Sequence, residues 1–156
     1  MKIMGLDPGL NCTGWSILSV SKDIKLIDKG TVVTNSKEDT GQRLRKIHTD
    51  VLDILRLYQV DSASMEEIFI NKNPKSSISL CYARGILLLT LSTKDIPVFE
   101  YSTNYVKKSI TGNGHAKKEQ VSFMIEKILN VKCSGTYDIS DSIAVALCHA
   151  YSKKSF

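Results

Sequence analysis

The chain opens on a short, mostly apolar run, Lys2 to Leu6, stopped by Asp7-Pro8-Gly9, a strand followed by a turn that proline and glycine enforce. Thr13 to Val20 and Leu26 to Thr34 are rich in β-branched and apolar residues, and the polar Ser21-Lys22-Asp23 between them predicts a hairpin. From Thr40 to Tyr58 the period changes. Leu44, Ile47, Val51, Ile54, Leu55 and Tyr58 recur at intervals of mainly three and four, which predicts an amphipathic helix lying on the sheet. Ala63 to Ile70 reads as a strand. Pro74 to Leu91 reads as a second helix, apolar around most of its circumference after Ile78, and such a helix needs two buried faces. Ile96 to Tyr101 is a strand introduced by Pro97, and a helix begins near Val106. Thr111-Gly112-Asn113-Gly114 breaks that helix before another amphipathic one, Lys117 to Leu129, and the last helix starts near Asp138.

A three-strand meander followed by helix, strand, helix, strand and helices is a mixed α/β plan. The first, fourth and fifth strands are expected to run parallel in one five-stranded mixed sheet flanked by helices. With 156 residues, 42% of them apolar, the chain is expected to form one domain over residues 1–156, with residues 150–156 as a flexible tail. The amino terminus lacks the pattern of a secretory signal, and the longest apolar stretch, Ile86 to Leu91, is far short of the roughly 20 residues that cross a bilayer. The expectation is a soluble, cytoplasmic protein without a membrane partner. Cys12, Cys81, Cys133 and Cys148 are scattered, without zinc-ligand spacing, and read as reduced thiols. Cys148-His149 falls late in an apolar segment and reads as packed helix rather than as a nucleophile with its base.

The formal charge of +5 becomes informative once it is located. Between residues 68 and 118, Lys72, Lys75, Arg84, Lys94, Lys107, Lys108, Lys117 and Lys118 face only Asp95 and Glu100, so a third of the chain carries all the excess positive charge. That distribution suits a face that neutralises phosphates.

Acidic residues fall at three separated places where strands should end or a helix should start: Asp7, Glu66 with Glu67, and Asp138 with Asp141. In open α/β sheets ligands bind outside the carboxyl ends of strands, so acids ending the first and fourth strands can face one crevice. Asp138 and Asp141 are three apart and project from one face of a helix. Such a set suits hard cations such as Mg²⁺, and two ions about 3.5–4 Å apart can activate water and relieve charge on a leaving phosphate oxygen. Singly, each acid has an ordinary explanation. Asp7 is a common turn residue before Pro-Gly, Asp138 suits a helix N-cap with Asp141 in its first turn, and glutamates at a strand end are usually solvated. The combination of all of them with a separate basic region is what those explanations do not predict. Alternation puts Glu66 and Glu67 on opposite faces, and periodicity does not choose between them.

Asp7-Pro8-Gly9-Leu10-Asn11-Cys12-Thr13-Gly14-Trp15 resembles the opening motif of the RuvC family of crossover junction endodeoxyribonucleases. Glu66-Glu67-Ile68-Phe69, Lys72-Asn73-Pro74, Ala83-Arg84-Gly85, Pro97-Val98-Phe99-Glu100-Tyr101, Thr111-Gly112-Asn113-Gly114 and Lys118-Glu119-Gln120-Val121 resemble family segments in the family order, and Asp138 to His149 completes the series. The resemblance spans nearly the whole chain. It implies an RNase H-like fold, a homodimer, dependence on Mg²⁺ or Mn²⁺, paired symmetric nicks in four-way (Holliday) junction DNA, and a possible link to a RuvAB-like branch-migration motor.

Carried over residue by residue, the resemblance makes Asp7, Glu66, Asp138 and Asp141 the catalytic, metal-binding acids, and so selects Glu66 over Glu67. Phe69 resembles the family aromatic that contacts bases near the crossover, and by sequence alone stacking on a base and packing in the core are equally good readings of it. Lys107 and Lys118 match basic positions near the scissile phosphate, while Lys72, Lys75, Lys108 and Lys117 are candidate DNA-backbone contacts. His115 stands in the Gly-rich loop where relatives often carry arginine, so phosphate binding there is expected to be weaker and pH-dependent. Asn71 stands where an alanine is common, and the chain ends shortly after His149.

Three other readings compete. An RNA–DNA hybrid nuclease would keep the acids without the dimer. A sugar kinase or actin-like ATPase needs a longer chain, and no Gly-x-x-x-x-Gly-Lys phosphate loop is present. A non-catalytic DNA-binding module would need only the basic face.

Overall fold

The computed structural model describes residues 1–68, 74–132 and 136–154, with the side chains of Pro74, Lys75 and Lys154 also outside the description. Five strands, β1 (Lys2–Asp7), β2 (Cys12–Val20), β3 (Ile24–Val33), β4 (Ser62–Glu66) and β5 (Val98–Tyr101), form one sheet in the order β3-β2-β1-β4-β5. β1, β2 and β3 pair antiparallel as the expected meander, while β4 adds parallel to β1 and β5 parallel to β4. The helices are α1 (Thr40–Tyr58), α2 (Pro74–Ser92), α3 (Thr103–Thr111), α4 (Lys118–Leu129) and α5 (Tyr137–Lys154).

Each face of the sheet buries a separate core. Met4, Leu6, Ile17, Ala63 and Met65 face Ile47, Val51 and Leu55 of α1 and Ala83, Leu87 and Leu91 of α2. Ile3, Leu18 and Val20 face the other way, onto α5 and the α3–α4 pair, with Val106, Ile110, Val121 and Ile125. The middle of α5 is enclosed on all sides, every residue from Ser142 to Ala150 being buried. The period-two alternation along β1 therefore puts Ile3, Gly5 and Asp7 on the α5 face, and along β4 it puts Ser62, Ser64 and Glu66 there.

α5 lies unusually close to this face because the floor beneath it is made of small residues. Gly5 pairs in register with Ser16 on one side and Ser64 on the other. A Cβ on Gly5 would stand 1.9 Å from the Ser142 carbonyl oxygen, and one on Gly14 would stand 2.0 Å from that of Asp138. Ser64 Oγ donates to the Val145 carbonyl at 3.2 Å, tying helix to strand.

Several boundaries differ from the sequence pattern. β4 ends at Glu66 rather than running to Ile70, although the Glu67 amide still donates to the Tyr101 carbonyl at 2.9 Å; residues 69 and 70 lie outside the described residues. β5 starts at Val98, after Pro97, which lacks an N–H but whose carbonyl accepts from Ala63 at 2.9 Å. α3 starts at Thr103 because Ser102 caps it, accepting from the Tyr105 amide. The flexible tail expected over residues 150–156 is not seen as far as Lys154. α5 continues to that residue, because Ala150 is fully buried and Ser152 Oγ bonds both the His149 carbonyl and Tyr101 Oη. Among the described residues, no helix is long and apolar enough to cross a membrane.

Gly5→Ala should lower the unfolding free energy by about 2–3 kcal/mol or more, since backbone on both sides of the new methyl must separate. Urea unfolding followed by circular dichroism measures this, and an unchanged midpoint would contradict so tight a helix–sheet contact.

Candidate active site

Asp7 closes β1 and pairs in register with Gly14 of β2. The turn that follows is locked from below by the buried Arg43 of α1, whose Nη2 donates to the Leu10 carbonyl at 3.1 Å and to Asn11 Oδ1, and whose Nε donates to Thr34 Oγ1 at 2.9 Å. Thr13 Oγ1 donates across the same turn to the Gly9 carbonyl at 2.8 Å. These bonds satisfy the polar backbone of the turn and fix where Asp7 stands.

Glu66 closes the neighbouring parallel strand on the same face, half-buried, while Glu67 is exposed. Thr103 Oγ1, in the first turn of α3, donates to Glu66 Oε2 at 2.7 Å. The buried Arg84 of α2 donates to the Glu66 carbonyl at 2.7 Å and forms an ion pair with Glu100 of β5, so the strand end is held from the opposite layer too. Asp138 and Asp141 come in on α5, which Gly14 allows to approach β2.

Asp141, Asp138 and Glu66 are close enough to Asp7 to act on its ionisation, and Asp141 acts on that of Glu66. Burial first, and then the negative charges of Asp141, Asp138 and Glu66, partly offset by Lys118, together raise the Asp7 carboxyl from 3.8 to about 7. Glu66 is also raised, first by burial, while the Thr103 hydrogen bond and the Lys107 and Lys118 charges work against the shift. Cys12, beside Asp138, is pushed up to about 11 by burial and by a hydrogen bond to that carboxylate, so its thiol stays protonated and unreactive at neutral pH.

Lys107 and Lys118 therefore lie at the cluster, as their sequence positions suggest. Lys118 Nζ donates to Asp141 Oδ2 at 3.0 Å. Lys108, His115 and Lys117 are exposed on α3, on the connecting loop and at the start of α4. Phe69 and Lys72 lie outside the described residues, as does the Lys75 side chain. Cys148 and His149 are packed helix, as expected. The His149 ring stacks on Phe99, shares hydrogen bonds with Ser62 Oγ and Tyr101 Oη, and is held neutral, its pKa lowered to about 4 by burial and by Lys153.

Sequence reasoning missed Thr103, Arg84 and Glu100. Arg84 carried a usable signal, a cation in the apolar stretch of α2 that follows Ile78, where a charge needs a partner. Thr103 carried none, because its partner is 37 residues away.

The donor set fits a hard cation. It consists of carboxylate oxygens, and burial and neighbouring charge disfavour the charged forms of Asp7 and Glu66, a penalty a divalent ion would relieve. Among the described residues no three carboxylate, imidazole or thiol groups are already closed up as a metal cage. Asp141 is instead engaged by Lys118 and Glu66 by Thr103. Beside them, a polar cleft of about 590 Å³ runs from Asp138 past Gly9–Cys12 to Ser79 and Leu80 of α2.

A five-stranded mixed sheet in this order, with acids at the ends of β1 and β4 and on the covering helix, defines a nuclease-type site on an RNase H-like fold. The family model described as crossover junction endodeoxyribonuclease RuvC matches residues 3–149, and the chain belongs to that family. The crossover junction endodeoxyribonuclease RuvC of Ehrlichia canis (strain Jake) is 73% identical over 156 residues, covering 100% of both chains. That of Ehrlichia ruminantium (strain Welgevonden) is 66% identical over 160 residues, again covering 100% of both. Thermus thermophilus RuvC, solved in complex with a Holliday junction substrate, superposes with a TM-score of 0.94 at 28% identity, covering 99% of this chain and 96% of that one.

The raised Asp7 pKa makes a stability prediction. An unfolded Asp7 releases its proton near pH 4 and the folded one only near pH 7, so the folded state binds more protons between them and cation-free stability falls as pH rises through that window. Asp7→Asn removes the effect. The variant should melt close to the parent at pH 4 and several degrees above it at pH 8, in chelator, by differential scanning calorimetry. A melting difference independent of pH would show that Asp7 is not destabilised by its neighbours.

Proposed function

We propose that this chain cuts four-way DNA junctions by phosphodiester hydrolysis, with Asp7, Glu66, Asp138 and Asp141 as catalytic residues holding Mg²⁺, or Mn²⁺ in its place, as a pair of ions. The observation that carries the reading is the convergence of these four acids from β1, β4 and α5, with two lysines at their edge, in a chain of this family. The activity agrees with the family name and with the Holliday junction substrate bound to the Thermus relative. When bound, the ions supply Lewis-acid relief of charge on the phosphate and lower the pKa of water.

The chain's own groups do the rest. Thr103 restricts the Glu66 carboxylate to one orientation, and Arg43 fixes the turn beside Asp7, so both acids are preorganised on rigid strand ends. Lys107 and Lys118 present ammonium groups at the rim, where a scissile phosphate would carry growing negative charge. Lys108, Lys117, His115, Lys72 and Lys75 are assigned to the DNA backbone and Phe69 to a base near the crossover, all on sequence position. Recombination and repair in the cytoplasm, with a branch-migration motor as partner, complete the proposed setting.

A synthetic four-way junction and a linear duplex of the same sequence, incubated with and without Mg²⁺, test this directly. Nicks should appear only in the junction and only with Mg²⁺. Asp7→Asn should reduce cutting to the background without Mg²⁺ while junction binding by mobility shift is retained, because the basic rim is untouched. Full activity in Asp7→Asn would remove it from the catalytic set.

We further propose that the protein acts as a two-fold homodimer through the outward face of α2. Ile78, Tyr82 and Leu89 are 50%, 50% and 56% exposed, and Cys81 and Gly85 are exposed beside them. This stripe is apolar surface that the sheet leaves uncovered. Two-fold symmetry would present two equal acid clusters to the two equivalent strands of a junction. Leu88 packs partly against the core and Leu91 is fully buried, so the residue that probes the face is Leu89. Leu89→Glu should sediment as a folded monomer and lose paired nicking, leaving single uncoordinated nicks. An unmutated chain that sediments as a monomer at working concentration while still nicking in pairs would exclude the dimer.

A further inference from the structure

Tyr137 has no part in the proposed chemistry, yet it is an exposed aromatic ring, 54% accessible, in the residue directly before Asp138. On α5 it stands four residues before Asp141, so ring and carboxylate are neighbours on one helix face. Lys118, the first residue of α4, reaches across to both. Its Nζ is 3.0 Å from Asp141 Oδ2 and 5.4 Å from the Tyr137 ring centroid. Lys118 thus already occupies the carboxylate that a divalent ion is proposed to take. An ion that takes this oxygen displaces the ammonium, and a lysine more than half exposed would then spend most of its time in bulk water. The face of Tyr137 is the nearest alternative partner, and it lies on the same side of α5.

We propose that Tyr137 is a positioning residue that keeps the Lys118 ammonium at the rim of the acid cluster after a divalent cation has displaced it from Asp141. The inference rests on the assignment of Asp141 as a metal ligand. Its consequence is that a single lysine serves two states: counter-ion to Asp141 before the cation binds, and a held positive charge beside the phosphate afterwards. The ring contributes through its π face, so its hydroxyl is dispensable.

The test uses the full chain and Mg²⁺. In single-turnover nicking of a four-way junction at saturating Mg²⁺, Tyr137→Leu should be roughly two- to five-fold slower, the factor expected of an exposed cation–π contact, while Tyr137→Phe should match the parent. Junction affinity should not change in either. In a Lys118→Ala background Tyr137→Leu should have no further effect, since the two residues act through one contact. A full additional loss in that background, or a phenylalanine variant as slow as the leucine one, would overturn the proposal. A readout free of activity comes from the Lys118 ε-methylene proton shifts of the DNA-free protein. As Mg²⁺ is added, they should stay displaced by the ring in the parent and in Tyr137→Phe, and move to the free-lysine position in Tyr137→Leu. Movement to that position in the parent would overturn the role of Tyr137 and leave the metal site standing. Lys118 and Asp141 signals indifferent to Mg²⁺ would overturn both. The site is exposed, so the leucine variant does not put the fold at risk.

Discussion

The close seating of α5 on β1 and β2 is the constraint from which the rest of the site follows. Helices usually pack on sheets across a layer of large side chains. Here Gly5 and Gly14 remove that layer at two points, and Ser16 and Ser64 keep it thin on either side of Gly5. The helix backbone drops onto the strands, and two carboxylates in its first turns arrive beside carboxylates at two strand ends. Any side chain at Gly5 or Gly14 would push against the carbonyls of Ser142 or Asp138, moving the acids with the helix. Packing and chemistry are therefore not separable at this contact.

The electrostatics are arranged against the protein's own stability. Burial, with the negative charges of neighbouring carboxylates, raises the proton affinity of Asp7 and Glu66, and Asp7 bears the larger share because it is the more enclosed. Fixed neighbours could have neutralised them outright. Instead, Lys118 makes one exposed ion pair and Lys107 acts from a distance, contacts of the kind worth little in water and easily exchanged. The buried Arg84, paired with the exposed Glu100, is directed to the Glu66 carbonyl rather than to its carboxylate and anchors the end of β4. The cleft is left with a demand for positive charge that a mobile cation can meet, and that demand, rather than a prebuilt cage, is what the fold supplies.

The two helical layers have different tasks. On one face the middle of α5 is enclosed and its first turns carry the acids, while α3 and α4 bring Thr103, Lys107 and Lys118 to its edge. On the other face α2 is only half covered: Leu87 and Leu91 fill the core, and Ile78, Tyr82 and Leu89 look outward. The same helix sends Arg84 through to the backbone of Glu66. The outward stripe and the acid at the strand end are thus connected through one rigid element.

The sequence by itself determined the order and type of the elements, because each long element carries its own periodicity. The three-four spacing of Leu44 to Tyr58 marked α1, which runs over the expected residues, and the apolar run Lys2 to Leu6 and the β-branched and apolar stretch Thr13 to Val20 marked β1 and β2. It also determined the candidate acids through an ordered series of motifs, and it flagged α2 as too apolar to be buried on one side alone. What it could not determine are the contacts between residues far apart in the chain. Alternation separated Glu66 from Glu67, but only the direction in which β4 enters the sheet decides which of them meets Asp7. The support of Glu66 by Thr103 and Arg84, the resting of Lys118 on Asp141, and the extension of α5 through Lys154 depend on which surfaces become neighbours after the sheet is assembled. Local pattern encodes periodicity and turns, both short-range; register across strands and depth of helix seating are set by steric fit between distant segments, and only the tertiary structure expresses them.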